Sequence, residues 1–152
     1  MSAEELDAFL RQQHVLTCAT VGPNGRPHLA ALWYAPDGGE LLVWTYAKSQ
    51  KARNLERDPR ATVQVEAGRS YQELRGAVLE CDVRIERDPG RVAAAGLAIA
   101  RHVAATGGRG VAGEPDAATV ASIRRQAAKR VALRLHPTRG ATWDHRKLAG
   151  AG

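Results

Sequence analysis

Apolar and polar residues alternate with a period of two along much of this chain, the pattern of strands with one buried face. The clearest runs are 60–67, where Ala61, Val63 and Val65 oppose Thr62, Gln64 and Glu66, and about 73–85, where Ala77, Leu79, Cys81, Val83 and Ile85 oppose Glu80, Asp82 and Arg84. Two more alternating runs, 27–35 and 130–136, together with the β-branched or apolar runs 14–21 and 40–46, bring the expected strands to six. Pro137 is expected to close the sixth, which leaves Thr142-Trp143 as a short seventh candidate. Gly22-Pro23-Asn24-Gly25 and Pro36-Asp37-Gly38-Gly39 read as tight turns, so the first three strands form a meander. Gly76, inside the fifth strand, marks a bulge or a close backbone approach.

Four other segments follow helical spacing. Ser2 and Glu5 make a capping box ahead of Leu6, Phe9 and Leu10, a helix to about Gln13 that lids the core. A short helix from Ser49 stops at Asp58-Pro59, because the residue before a proline is pushed out of the α region. Asp88-Pro89 opens a third, with Val92, Gly96, Ile99 and Val103 on one face. Asp116 caps a fourth, to about Lys129, with Val120 and Ile123 inward and Arg124 and Arg125 outward. The glycine-rich piece 107–113 between them has no periodicity. The sum is a mainly β (α+β) fold, a six- to seven-stranded antiparallel barrel with peripheral helices, in one domain over residues 1–152. With aromatics at only 5% and so long a fifth strand, such a barrel is expected to share one face with a second copy.

Charge and composition narrow the partners. A net charge of +6 suits a polyanion, but the basic residues are spread along the chain and no helix-turn-helix or zinc-finger spacing occurs, so a small anionic molecule is expected rather than nucleic acid. No apolar run approaches the roughly 20 residues that cross a bilayer, and the first residues lack a signal-peptide layout, so no membrane partner and a cytoplasmic location are expected. Cys18 and Cys81 sit in apolar runs without a CxxC pattern and are read as reduced core residues. His14, His102, His136 and His145 have no metal-ligand spacing and are read as surface or capping residues, so no metal is expected. Arg130, with Arg124 and Arg125, is read as the solvated face of a helix, or else as part of a groove for an acidic tail.

The stretch 41–55 holds the candidate chemistry. An apolar strand ends at Thr45, and a helix opens with Ser49 and Lys51 in its first turn and Lys48 just before it. Helix N-termini offer unpaired N–H groups and partial positive charge, so hydroxyls and ammonium groups gathered there suit a phosphate. The chain has eighteen Arg and only four Lys, and two of those four are Lys48 and Lys51.

Several pieces, in order, resemble the pyridoxamine-phosphate-oxidase-like split β-barrel superfamily, also called the flavin and deazaflavin oxidoreductases. They are Gly25-Arg26-Pro27-His28, Thr45 with Ser49 and Lys51, the continuation Ala52-Arg53-Asn54-Leu55-Glu56-Arg57-Asp58-Pro59-Arg60, Arg75-Gly76-Ala77, and Thr142-Trp143-Asp144-His145. The resemblance implies an FMN-binding type of split barrel, a homodimer, and two flavin-type cofactors at the subunit interface. Thr45, Ser49 and Lys51 match the phosphate-side positions, Lys48 is placed to assist, and Trp44 lies where the strand runs beside the ring system. Gln50 stands where the vitamin-synthesising oxidase has a second cation, and His28 and Leu32 stand near the place of its strand-two Arg and Lys pair. Trp143 is expected to reach the partner's cofactor.

The wording Lys51-Ala52-Arg53-Asn54-Leu55 and the Thr-Trp-Asp-His ending resemble the branch that uses the deazaflavin coenzyme F420. This implies an F420-dependent oxidoreductase passing hydride between the coenzyme and a small unsaturated or conjugated acceptor. The alternatives are an FMN-dependent relative of the oxidase, or a protein that binds flavin, F420 or haem without catalysis. No acid-base pair is required in the hydride-transfer reading, because the ring carries the chemistry.

Overall fold

The computed structural model describes residues 1–107 and 114–150, which excludes all of the glycine-rich piece except Gly107. Its elements are α1 (Ala3–Gln12), β1 (Val15–Val21), β2 (Pro27–Asp37), β3 (Glu40–Tyr46), α2 (Gln50–Arg57), β4 (Arg60–Ala67), β5 (Arg75–Glu86), α3 (Pro89–Ala105), α4 (Ala117–Ala127) and β6 (Arg130–Asp144). The six strands close into an antiparallel barrel in the order β1-β2-β3-β6-β5-β4. The expected meander is β1-β2-β3, with Gly25 at φ 80° in the Asn24-Gly25 turn, a conformation glycine adopts without cost. Among the described residues no helix is long and apolar enough to cross a membrane.

Inward-facing residues fill the barrel, Leu16, Val43, Val63, Leu79 and Leu133 among them. Helix α1 meets one mouth: Phe9 is buried, Arg75 lies over its ring, and the Leu10 carbonyl accepts the hydroxyl of buried Tyr34 at 2.6 Å. Helix α2 closes the other mouth, inserting Ala52 and Leu55 into the same core. Cys18 and Cys81 are buried free thiols, and burial pushes them up to about 11 and about 12 respectively.

A second apolar cluster lies outside the barrel. Helix α3 sets Ala95, Ile99 and Val103 on Ala35, Leu42 and Ala132 of β2, β3 and β6. Gly96 sits at the closest approach: a Cβ there would lie 2.9 Å from two ring carbons of Trp44 and 2.9 Å from Cγ2 of Ile123 on α4. Both α3 and α4 belong to the connection between β5 and β6.

Three expectations change in detail. Pro137 does not close β6, which runs from Arg130 to Asp144 and absorbs the proline at a bulge opposite Glu80 and Cys81, so six strands suffice and Thr142-Trp143 is the end of the sixth. Gly76 is the close approach, not the bulge: a Cβ there would fall 2.4 Å from Trp143 Cζ2 and 2.7 Å from the Val65 carbonyl. Strand β2 extends two residues beyond the expected Ala35, to Asp37, which pairs with Glu40.

Candidate functional site

Alternation along β3 sends Val43 and Thr45 inward and leaves Trp44 and Tyr46 on the outer surface. After Tyr46 the chain turns sharply. The Ser49 N–H donates to the Tyr46 carbonyl at 3.0 Å, and the Ala47 N–H donates to the Lys129 carbonyl at 2.9 Å. Ser49 is the N-cap of α2: its Oγ accepts from the Ala52 N–H and from Thr45 Oγ1, each at 3.2 Å, while its carbonyl accepts from the Arg53 N–H. Four N–H groups open any α-helix without a partner in the helix; here that of Ser49 donates to the Tyr46 carbonyl and that of Ala52 to Ser49 Oγ, and those of Gln50 and Lys51 remain at the positive end of the helix dipole.

Lys51 is half-buried and forms no salt bridge with any described carboxylate. Burial pushes its ammonium below the ordinary lysine range, with the Cys18 thiol acting the other way and the Arg130 guanidinium adding to the depression. Desolvation, a neighbouring cation and the helix dipole all oppose its charge, so an anion placed there relieves all three at once. Lys48 is exposed at the same corner.

Gln50 does not reach outward as a second cation would. Its Nε2 donates to Asn54 Oδ1 at 2.8 Å, and Asn54 Nδ2 donates in turn to Thr20 Oγ1 at 3.0 Å, tying the helix to β1. Asn54 is fully buried and Arg57 adds donors to its Oδ1 and to the Val21 carbonyl. This seam was not singled out from the sequence; the Asn-Leu pair in the 51–60 run was its only trace. His28 pairs across from Thr20, and its Nδ1 is enclosed without a hydrogen-bond partner among the described residues.

Trp44 faces the helical insertion. Its indole N–H donates to the Val92 carbonyl of α3 at 2.9 Å, its ring lies against Gly96, and the Arg130 guanidinium stands 5.1 Å above it. Arg130 is therefore not on the wet face of a helix. It opens β6 opposite Tyr46, over whose ring its guanidinium lies at 3.8 Å, and its Nε is buried without a partner among the described residues. Trp44, Leu32 and Arg130 line a cleft of about 640 Å³ between the helix pair and β2–β3.

Trp143 is not part of this assembly. It packs on Gly76 of its own chain, at the end of β6 opposite Arg130. The twelve steps of strand from Val131, beside Thr45, to Trp143 amount to roughly 40 Å at about 3.3 Å per residue, so the two ends of β6 belong to opposite ends of the barrel. One fold therefore unites Thr45, Lys48, Ser49, Gln50 and Lys51, sets Leu32 and Trp44 in the neighbouring cleft, and holds Trp143 apart.

The outer face of β1–β2 is apolar and uncovered. Leu29 and Trp33 are 65% and 58% exposed, and Val15 pairs directly with Trp33.

A closed six-stranded antiparallel barrel, with a hydroxyl- and lysine-lined corner between its third strand and following helix, defines a split-barrel protein. The sequence pattern of the pyridoxamine 5'-phosphate oxidase family matches residues 2–144, and the chain belongs to that family. No curated protein matches the chain. Among solved structures it is similar to the conserved hypothetical protein Rv2991 from Mycobacterium tuberculosis, at 36% identity and TM-score 0.85 over 98% of this chain and 88% of that one. It is also similar to an F420 reductase, at 26% identity and TM-score 0.63 over 89% of this chain and 94% of that one. HutZ, the heme storage protein from Vibrio cholerae, shares the fold at 18% identity and TM-score 0.62, covering 93% of each chain.

Proposed function

We propose that this chain is an oxidoreductase that binds the deazaflavin coenzyme F420 and passes hydride between it and a small unsaturated or conjugated acceptor. The observation that carries the reading is Lys51: a half-buried ammonium at a helix N-terminus, beside the Thr45 and Ser49 hydroxyls and without a carboxylate partner among the described residues. The family match supports a flavin-type cofactor, and the likeness to an F420 reductase supports the deazaflavin.

Lys51, the Gln50 and Lys51 N–H groups, Ser49 and Thr45 would hold the cofactor phosphate, with Lys48 assisting from the surface. Reduced deazaflavin supplies the hydride. The chain's own residues bind, orient and exclude water, which accounts for a site with no acid-base pair. His28 and Gln50 border the corner, and Leu32 and Trp44 shape the neighbouring wall.

The uncovered Val15, Leu29 and Trp33 face supports a homodimer of single-domain chains with cofactors between the subunits. In that dimer Trp143, too far along β6 to serve its own Lys51, belongs to the partner's site. The two free thiols support a reducing, cytoplasmic setting.

Fluorescence titration with F420 tests the proposal. Micromolar binding is expected, weakened at least tenfold by Lys51→Ala; absence of binding at low ionic strength would refute it. Purification as a yellow protein that retains FMN would assign the same corner to FMN instead.

A further inference from the structure

The cleft beside Trp44 has a composition that the phosphate corner does not explain. Its volume of about 640 Å³ falls within the span of roughly 300–1,000 Å³ typical of small-molecule sites. One wall, from β1, β2, β3 and α3, is apolar: Val15, Leu32, Trp33, Trp44 and Ile99 line it. The opposite wall is the α4 side, where polar groups satisfy one another in a chain. Arg130 Nη2 donates to Gln126 Oε1 at 3.2 Å, and Gln126 Nε2 donates to Ser122 Oγ at 3.0 Å.

Among the described residues Arg130 is the single cationic lining residue, and it is held rigidly. Its guanidinium rests on the Tyr46 and Trp44 rings, and among the described residues its Nε, shut away from water, has no partner and no carboxylate forms a salt bridge with it. A positioned guanidinium without a counter-ion at one end of an apolar trough matches a ligand that is apolar along its length and anionic at one end.

We propose that this cleft binds a small, largely apolar molecule carrying one carboxylate or sulfonate, with the anionic group on Arg130 and the apolar body against Trp33, Trp44 and Ile99. That this ligand is the acceptor of the oxidoreductase rests on the function proposed above; that the cleft binds it does not.

Two fluorophores that differ by one sulfonate group test this: 8-anilinonaphthalene-1-sulfonate and its uncharged counterpart N-phenyl-1-naphthylamine, titrated into the full chain without cofactor. The sulfonate is expected to bind at least fivefold more tightly than the neutral probe, and Arg130→Gln to remove that preference while keeping binding of the neutral probe. Ala100→Phe, which fills the cleft from α3, is expected to abolish binding of both; Ser122→Trp, filling it from α4, serves if that variant does not fold. Equal affinities for the two probes in the natural protein, or binding of both that survives the filled cleft, would overturn the proposal. F420 titrated into the same cleft-filled variant separates the two readings. Cofactor binding retained there with probe binding lost supports a distinct cleft, whereas probe binding to a natural protein that ignores F420 would sink the oxidoreductase reading and leave the cleft standing.

Discussion

Gly96→Ala sets helix propensity against packing at one atom. Alanine in place of glycine inside a helix favours folding by about 0.8–1.0 kcal/mol when nothing opposes the methyl group. At Gly96 that methyl would lie 2.9 Å from Trp44 ring carbons and 2.9 Å from Ile123 Cγ2. Neither neighbour is free to move. Trp44 is pinned by its hydrogen bond to the Val92 carbonyl and by Arg130 above its ring, and Ile123 is buried between the two helices. Overpacking costs about 1–3 kcal/mol, and a lost Trp44–Val92 hydrogen bond adds about 0.5–1.5 kcal/mol. Set against the propensity gain, the net effect is a loss of about 0.5–3.7 kcal/mol, centred at about 2 kcal/mol. For a chain of this length a loss of about 2 kcal/mol lowers Tm by roughly 4–8 °C. Urea unfolding followed by tryptophan fluorescence reads the change directly. In a Trp44→Phe background the penalty is expected to shrink, since the smaller ring leaves room for the methyl. A Gly96→Ala protein as stable as the natural one, or more so, would refute the tight seating of α3 on Trp44.

Three other outcomes follow from the site and its surroundings. Asn54→Ala is expected to cost about 1–3 kcal/mol, because it strands the buried Thr20 hydroxyl, whereas Asn54→Leu combined with Thr20→Val should cost less than the sum of its parts; a loss under about 0.5 kcal/mol for the first variant would count against the seam. Anion affinity at the α2 corner, measured with F420 from pH 7 upward, is expected to fall as Lys51 loses its proton. The folded-state value is depressed by burial, so the fall should begin below the ordinary lysine value of about 10.4, and a midpoint at or above it would contradict the desolvated ammonium. Leu29→Glu puts a charge in the middle of the uncovered apolar face and is expected to convert a dimer to a monomer in sedimentation at micromolar concentration; a natural protein that is already monomeric removes the shared site.

The barrel was legible because its information is local. Alternation at 60–67 and 73–85, Asn24-Gly25 in the first turn, and Asp88-Pro89 at a helix start each report on the backbone of their own neighbourhood. The meeting of Thr45, Ser49 and Lys51 at the start of α2 was legible for the same reason, since they lie within seven consecutive residues. What escaped depends on partners distant in sequence. Arg130 read as a solvated helix residue because nothing nearby in the chain reveals that Trp44 and Tyr46, on a strand more than eighty residues away, will lie beneath it. Pro137 read as a strand end because a bulge, which alone accommodates it, is a property of the pairing with β5 and not of β6. Gly76 could be narrowed only once Trp143 was seen to cross it.

The helix pair that forms the cleft also has an unusual address in the chain. Residues 87–129 leave the barrel after Glu86 and rejoin it at Arg130, while Glu86 and Ala132 are paired neighbours in the β5–β6 ladder. The excursion starts and finishes at nearly the same point, so the six strands would keep their order if a short hairpin replaced it. The helix-side wall of the cleft is carried by that excursion, and the phosphate corner lies outside it. Exchanging 87–129 between two related chains would therefore recut the helix side of the cleft while Arg130, Trp33 and Trp44, which the barrel itself carries, stay in place.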